Sequence, residues 1–170
     1  EYYPDSKVKS TGNFQNGLED GTWAYLHEDG SLMQQENWER GKLMSFTPFY
    51  TSSGEQLQAG FLFEGLGSRK YFDSRGRMLC IGTFEDGLPN GDWKYFSAKG
   101  NMVSEGNMLN GKRHGLWVFY HNDGVTVKTS GNYYMGEPVG KWQHFNKRGK
   151  LQRTEELGKF SGAEEAAIKY

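Results

Sequence analysis

The sequence predicts an all-β protein, an elongated single-layer antiparallel β-meander built from β-hairpin repeats of about 24 residues. Composition is the first observation behind this prediction, because 24 glycines, 11 phenylalanines, 10 tyrosines and 5 tryptophans in 170 residues favour strands and tight turns. The second observation is a glycine that recurs at steps of 22 to 25 residues, at Gly30, Gly54, Gly76, Gly100, Gly124 and Gly149. Ser6 stands 24 residues before the first of these glycines and fills the same slot.

A short signature inside each complete repeat predicts one β-hairpin. A turn dipeptide such as Asn16-Gly17 or Asn110-Gly111 comes first, and Gly-x-Trp-x-aromatic or a close variant follows it. The signature residues, which we expect to be structural, are Gly21, Trp23, Gly91, Trp93, Gly115, Trp117, Gly140 and Trp142.

Two repeats between Gly41 and Gly76 have lost this signature. Ser45 and Thr47 replace the glycine and tryptophan in one of them, and Arg69 takes the tryptophan slot of the other. Because each repeat in such an array is stabilised by its neighbours, this stretch is predicted to be the weakest part of the sheet.

The repeats predict one domain over residues 1–160, with about six to seven units and roughly 13 strands. After it, the stretch Ser161-Gly-Ala-Glu164 fits a helix capping box, and helix-forming residues follow. We therefore expect residues 161–170 to form a short C-terminal helix that caps the sheet, because an uncovered strand edge invites aggregation.

Glycines in the middle of strands predict how the sheet is held together. Such a glycine normally weakens a sheet, so we expect a tryptophan of the neighbouring strand to lie over it, with Trp117 over Gly106 and Trp93 over Gly82. One aromatic ladder shares its face with the tryptophans and is predicted to form the core, at Tyr25, Phe49, Tyr71, Tyr95 and Phe119.

A second aromatic ladder, which we call the aromatic stripe, follows one residue later and is therefore predicted to lie on the opposite face. Exposed apolar surface marks interaction sites, and aromatic residues are frequent anchors of protein interfaces. We expect the stripe to be exposed and to bind a partner protein through Tyr50, Phe72, Phe96, Tyr120 and Phe145.

The combination of an Asn-Gly turn, Gly-x-Trp-x-aromatic and Asp-Gly resembles the MORN repeat. The strand Ser6-Lys7-Val8-Lys9-Ser10 is most similar to the bacterial variant of this repeat, found in the antitoxin family of the YwqK type. The resemblance extends from residue 1 to about residue 157 and implies a β-meander for protein or lipid contact, without catalytic activity. An antitoxin-like or scaffold role, with a toxin as the partner, is implied by this resemblance alone.

A second resemblance leaves other functions open. The stretch from Gly21 to Gly30 is also similar to cell-surface repeats that hold choline or glucan in aromatic cages, although the period of those repeats is shorter. A cell-surface carbohydrate- or choline-binding module is therefore the first alternative, and an accessory repeat domain of a larger enzyme is the second.

The residues predict neither an enzyme nor a cofactor or metal site. One cysteine cannot form a cysteine-based metal site, and we expect Cys80 to be a buried structural thiol. His27 and His121 share a repeat slot but stand four repeats apart, so we expect them to be solvated and to hold no shared metal. The sequence contains no nucleophile elbow, phosphate-binding loop or His-Glu-x-x-His motif.

Charge bears on the partner and the compartment. The net charge of −1 argues against a nucleic-acid partner, and it does not indicate membrane-lipid contact, which stays open. Residues 1–39 carry a net −6 and residues 141–160 a net +4, which leaves end-to-end self-association open. A cytoplasmic location is slightly favoured, and a secreted or periplasmic one is expected if a signal peptide precedes Glu1.

Overall fold

A computed structural model describes residues 1–158, and β-strand is the regular secondary structure throughout this range. The strands are β1 (Ser10–Gln15), β2 (Leu18–Leu26), β3 (Leu32–Glu39), β4 (Lys42–Phe46), β5 (Phe49–Tyr50), β6 (Gln56–Leu57), β7 (Gly60–Phe63), β8 (Leu66–Phe72), β9 (Met78–Glu85), β10 (Leu88–Phe96), β11 (Met102–Leu109), β12 (Lys112–Tyr120), β13 (Val127–Tyr134), β14 (Glu137–Phe145) and β15 (Leu151–Leu157). The helix predicted for residues 161–170 lies outside the described residues.

The strands form antiparallel sheets in which neighbours in sequence are neighbours in space. Strands β1 to β4 make a four-stranded sheet, β5 and β6 a two-stranded sheet, and β7 to β15 a nine-stranded meander. The all-β antiparallel prediction is confirmed, but the expected single meander is interrupted at β5. Pro48 precedes β5 in an eroded repeat, and a proline has no N–H group to continue a strand ladder.

The chain divides into two compact units, which we call unit 1 (residues 1–88) and unit 2 (residues 89–170). The buried apolar side chains of unit 1 include Leu43, Phe49, Ala59 and Leu62, all at or below 5% exposure, within or next to the eroded repeats. The described part of unit 2 is built mainly around buried tryptophans.

Six hairpin turns share one backbone conformation, in which a residue with positive φ precedes a glycine with positive φ. The pairs are Asn16-Gly17, Arg40-Gly41, Glu64-Gly65, Asp86-Gly87, Asn110-Gly111 and Met135-Gly136. This is the type I′ pattern, whose twist matches that of the strands it joins. Ser6 adopts φ 66°, which confirms that it occupies the slot of the periodic glycine.

Two kinds of glycine in the complete repeats meet two different physical requirements. At Gly106, an added Cβ would lie 2.5 Å from the nearest ring atom of Trp117, so the glycine provides space. Gly115 has φ 71° with open space around its missing Cβ, so it provides a left-handed backbone conformation. The predicted stacking of Trp117 over Gly106 is confirmed, and Trp93 over Gly82 stays a prediction.

The tryptophans of unit 2 form a continuous ladder with the predicted core aromatics. Ring centroids lie 6.1 Å apart between Trp93 and Tyr95 and between Tyr95 and Trp117, and 6.2 Å apart between Trp117 and Phe119. Trp117 is fully buried, and its Nε1–H donates to the Asn107 carbonyl at 2.9 Å. The assignment of this ladder and the tryptophans to one face is therefore confirmed in unit 2.

The two glycine roles predict different outcomes for two alanine substitutions. Gly106→Ala should displace the Trp117 ring, lowering the free energy of unfolding by about 1–3 kcal/mol and changing the near-UV circular dichroism. Gly115→Ala should cost about 1–2 kcal/mol through backbone strain and leave the near-UV spectrum unchanged. Urea melts and near-UV spectra measure both, and an unaltered spectrum for Gly106→Ala would contradict the steric role.

Candidate interaction surfaces

The five residues of the aromatic stripe are half-buried, so the expectation that they are exposed is wrong. Each of them lies close to a turn that joins two repeats, and each retains only partial access to solvent: Tyr50, Phe72, Phe96, Tyr120 and Phe145. Partial access leaves their predicted role in partner binding untested.

A recurring β-bulge lies beside the stripe and accompanies its partial burial. Four stripe residues sit directly after a shift of register, because the following strand contains one extra residue. These extra residues are Leu79, Val103, Lys128 and Gln152. A bulge increases local twist and bends the strand, which alters how the facing side chains are covered.

Two histidines fix the backbone beneath the stripe. His27 Nε2 donates to the carbonyl of Tyr50 at 2.9 Å, and His121 Nε2 donates to the carbonyl of Phe145 at 3.1 Å. His27 is only 4% exposed, so the expectation of a solvated histidine is wrong at this position. Their shared repeat slot indicates a structural contact between successive inter-repeat turns.

Stripe residues in the two units have different neighbours. Phe72 packs against the core residue Phe49, with ring centroids 5.5 Å apart, so this stripe position belongs to the packed interior of unit 1. In unit 2, the hydroxyl of Tyr120 donates to a carboxylate oxygen of Glu105. Burial, followed by this hydrogen bond, raises the pKa of Tyr120 to about 12, so the phenol stays protonated at neutral pH.

One sheet face of unit 2 lies opposite its tryptophans, and we call it the unit 2 outer face. It carries a salt bridge of 3.7 Å between Lys94 and Glu105, with Leu116, Val118 and Tyr120 nearby. Leu116 is 56% exposed although it is large and apolar. A shallow groove of about 370 Å³ follows this face across β10, β11 and β12.

One aromatic cluster of unit 2 already holds an arginine of the protein. The Arg113 guanidinium carbon lies 4.5 Å from the ring centroid of Trp117, 5.3 Å from that of Tyr133 and 5.5 Å from that of Phe119. Such rings attract cations through their faces, so Arg113 occupies the place that choline would need. The signature tryptophans Trp23, Trp93, Trp117 and Trp142 are at most 7% exposed, which removes them as stacking platforms for a sugar.

A buried polar cluster in unit 1 is not predicted by the sequence pattern. Arg69, in the tryptophan slot, donates to Glu36 and to Gln34 Oε1, the latter at 2.7 Å. All three side chains are 4–6% exposed. The guanidinium also stacks 4.2 Å from the Tyr71 ring centroid and 5.0 Å from that of Phe46. An arginine in a tryptophan slot was the available signal, but its partners stand 33 and 35 residues away without a shared motif.

The Arg69–Glu36 pair predicts a strong asymmetry between single and double substitutions. Glu36→Met should lower the free energy of unfolding by about 3–5 kcal/mol, because it leaves a buried guanidinium without its counter-charge. Adding Arg69→Met removes that charge, so the double variant should be more stable than Glu36→Met alone. Urea melts test this, and a double variant less stable than the single one would show that Arg69 contributes mainly through packing.

Cys80 is buried, as predicted, and lies opposite Tyr71 in the strand ladder. Burial raises the pKa of its thiol to about 11, so little thiolate exists at neutral pH.

This burial predicts that Cys80 resists thiol reagents. Native protein at pH 7.5 should react with Ellman's reagent much more slowly than urea-unfolded protein, because the thiolate is the reactive species. Ser74→Cys, at an exposed turn position, should add one rapidly reacting thiol as a control. Rapid reaction of the unaltered native protein would contradict the assigned burial.

Two absences apply to the residues that the structure describes. Over residues 1–158, no group of three or more His, Cys, Asp or Glu side chains is placed to hold a metal ion. Within the same range, no helix has the length and apolarity needed to traverse a bilayer.

These observations define a repeat protein of β-hairpins held by tryptophan–glycine contacts between strands. The sequence profile of a family described as the MORN repeat variant matches residues 1–16 and 89–110. The match supports the interpretation as a MORN-repeat protein, and such repeats are generally modules for protein or membrane interaction. No curated protein matches the chain.

Proposed function

We propose that this chain is a non-enzymatic interaction module that binds another protein through the unit 2 outer face. The observation that supports this proposal is the 56% exposure of Leu116 beside the half-buried Val118 and Tyr120. A large apolar side chain exposed on a sheet and flanked by polar groups is typical of a contact surface.

The chemistry of this face suits a protein surface better than a small ligand. The groove along it is shallow, and its rim offers charges of both signs, from Asp92, Lys94 and Glu105. Interfaces between proteins combine an apolar centre with a polar rim of this kind. Stripe residues Phe96 and Tyr120 add partly accessible aromatic surface.

Other functions find less support in the geometry. A choline- or carbohydrate-binding module would need accessible aromatic rings, whereas the signature tryptophans are buried and Arg113 fills an aromatic cluster. An antitoxin-like role, with a toxin as the partner, and a scaffold role are finer versions of the present proposal. An accessory role beside an enzyme would also use the same face.

The proposal predicts that partner capture depends on this face. A Leu116→Ser/Tyr120→Ser variant should reduce the amount of partner recovered from a lysate of the source cells by about tenfold or more. The reason is that interface anchors contribute most of the binding free energy. Quantitative mass spectrometry of the captured proteins provides the measurement.

A matched control separates this effect from a general loss of apolar surface. Val125 is 79% exposed in an inter-repeat turn outside the face, so Val125→Ser should leave recovery unchanged. Circular dichroism must show that every variant is folded. Equal recovery by the folded double variant and the unaltered protein would remove the unit 2 outer face as the binding surface.

A further inference from the structure

Three exposed apolar side chains of unit 1 lie together on the hairpin formed by β7 and β8. Phe61, Phe63 and Leu66 are 70%, 62% and 65% exposed. Phe63 is paired with Leu66 across the turn, and Phe61 with Ser68, so the three apolar side chains share one face of the hairpin. Arg69 lies on the opposite face, since adjacent strand residues point in opposite directions.

A shallow groove of about 480 Å³ adjoins this hairpin. Phe63 and Glu64 form one side, and residues of the β3–β4 hairpin, with the start of β2, form the rest. The Gly65 N–H donates to the Met44 carbonyl at 3.1 Å, which fixes the two hairpins against each other. The groove is therefore a formed feature of unit 1.

The charge of this groove is of one sign. Its lining contains three carboxylates, Asp20, Glu39 and Glu64, together with the apolar side chains of Trp38, Met44 and Phe63, and it contains no basic side chain. Among the described residues, no salt bridge involves any of the three carboxylates. Asp20 accepts a hydrogen bond from the backbone N–H of Arg40, and the exposed Arg40 side chain lies outside the lining.

We propose that this aromatic and acidic surface, formed by Phe61, Phe63, Leu66 and the adjoining groove, binds a protein segment in which lysine or arginine alternates with apolar residues. The apolar side chains of such a segment would cover the two phenylalanines, and its cations would meet Glu39 and Glu64. Aromatic side chains supply the contact area, and complementary charge selects the partner. The inference rests on the proposed function only in assuming a protein partner, because its surface is a different one.

Charge favours this basic protein segment over two other possible occupants of the surface, an anionic membrane and a second copy of the chain. An anionic membrane surface would be repelled by three carboxylates at the groove. A second copy of this surface would bring like charges together, which costs free energy at an interface.

Fluorescence anisotropy with two labelled synthetic peptides tests the inference. The probe is a short peptide of alternating lysine and leucine, and its counterpart has glutamate in place of every lysine. We expect the lysine peptide to bind and the glutamate peptide to fail. Phe61→Ser/Phe63→Ser should weaken binding of the lysine peptide about tenfold or more, as truncation of interface anchors does.

A second variant isolates the charge contribution. Glu39→Gln/Glu64→Gln keeps the side-chain shapes and should both weaken binding and reduce its dependence on salt, because fewer ionic contacts are screened. Matched controls in unit 2 are Glu137→Gln/Glu156→Gln for charge and Val125→Ser for apolar surface, all at exposed positions. These controls should bind the lysine peptide like the unaltered protein.

Several results would overturn the inference. They are equal binding of the two peptides, unchanged binding by both folded groove variants, and an equal loss in the unit 2 controls. Binding to phosphatidylserine vesicles that is lost in Phe61→Ser/Phe63→Ser would assign the surface to a membrane instead, and a dimer lost in the same variant would assign it to self-association. If the peptide fails but partner capture still depends on Leu116 and Tyr120, only this inference falls.

Discussion

The contact on which the rest of the structure depends is a tryptophan ring lying across a glycine of the neighbouring strand. An added Cβ would approach the ring atoms within 2.2 Å at Gly12 and Gly131 and within 2.5 Å at Gly106. Each contact buries a large aromatic surface where aliphatic residues are scarce, and a sheet without a thick core needs such cohesion between strands. A glycine in the left-handed conformation stands two residues before each of the four signature tryptophans, as at Gly115, and completes the repeat signature.

Unit 1 shows what happens where this contact is lost. Arg69 replaces the ring and is buried with Glu36 and Gln34, so the cohesion there is ionic as well as apolar. Leu43, Phe49, Ala59 and Leu62 supply apolar packing, and the predicted weak stretch holds some of the most buried residues of the chain. A buried ion pair is sensitive to the loss of either partner, whereas a ring on a glycine depends on shape alone. The complete repeats and the eroded repeats therefore differ in the substitutions that they tolerate.

Most of the fold could be predicted from the periodicity of the sequence, because the recurring glycines and tryptophans mark turns and contacts between strands. The hairpins, the turn at Ser6 and the stacking of Trp117 on Gly106 follow from it. The partial burial of the aromatic stripe did not follow, because it depends on tertiary contacts such as that of Phe72 with Phe49. The bulges beside the stripe also occur at residues without a bulge signature, such as Leu79 and Val103. The Arg69–Glu36 pair could not be predicted either, since its two residues stand 33 positions apart in repeats that share no motif for such a pair. The exposure of single side chains, such as Phe61 and Leu116, depends on tertiary packing and could not be predicted from the repeat pattern.

The arrangement of the sheet explains why its surfaces are candidates for binding. The tryptophans of unit 2 lie on one face of its sheet and satisfy its packing needs, so the opposite face is free to carry residues that stability does not require. That face holds Leu116 beside charges of both signs. In unit 1, Phe61 and Phe63 lie on the face of their hairpin opposite the buried Arg69, beside carboxylates. Large apolar side chains in water are a cost to solubility unless something covers them. Because the repeat signature prescribes neither surface, each unit can present its own chemistry on the same scaffold, which is how repeat architectures acquire different partners without changing their fold.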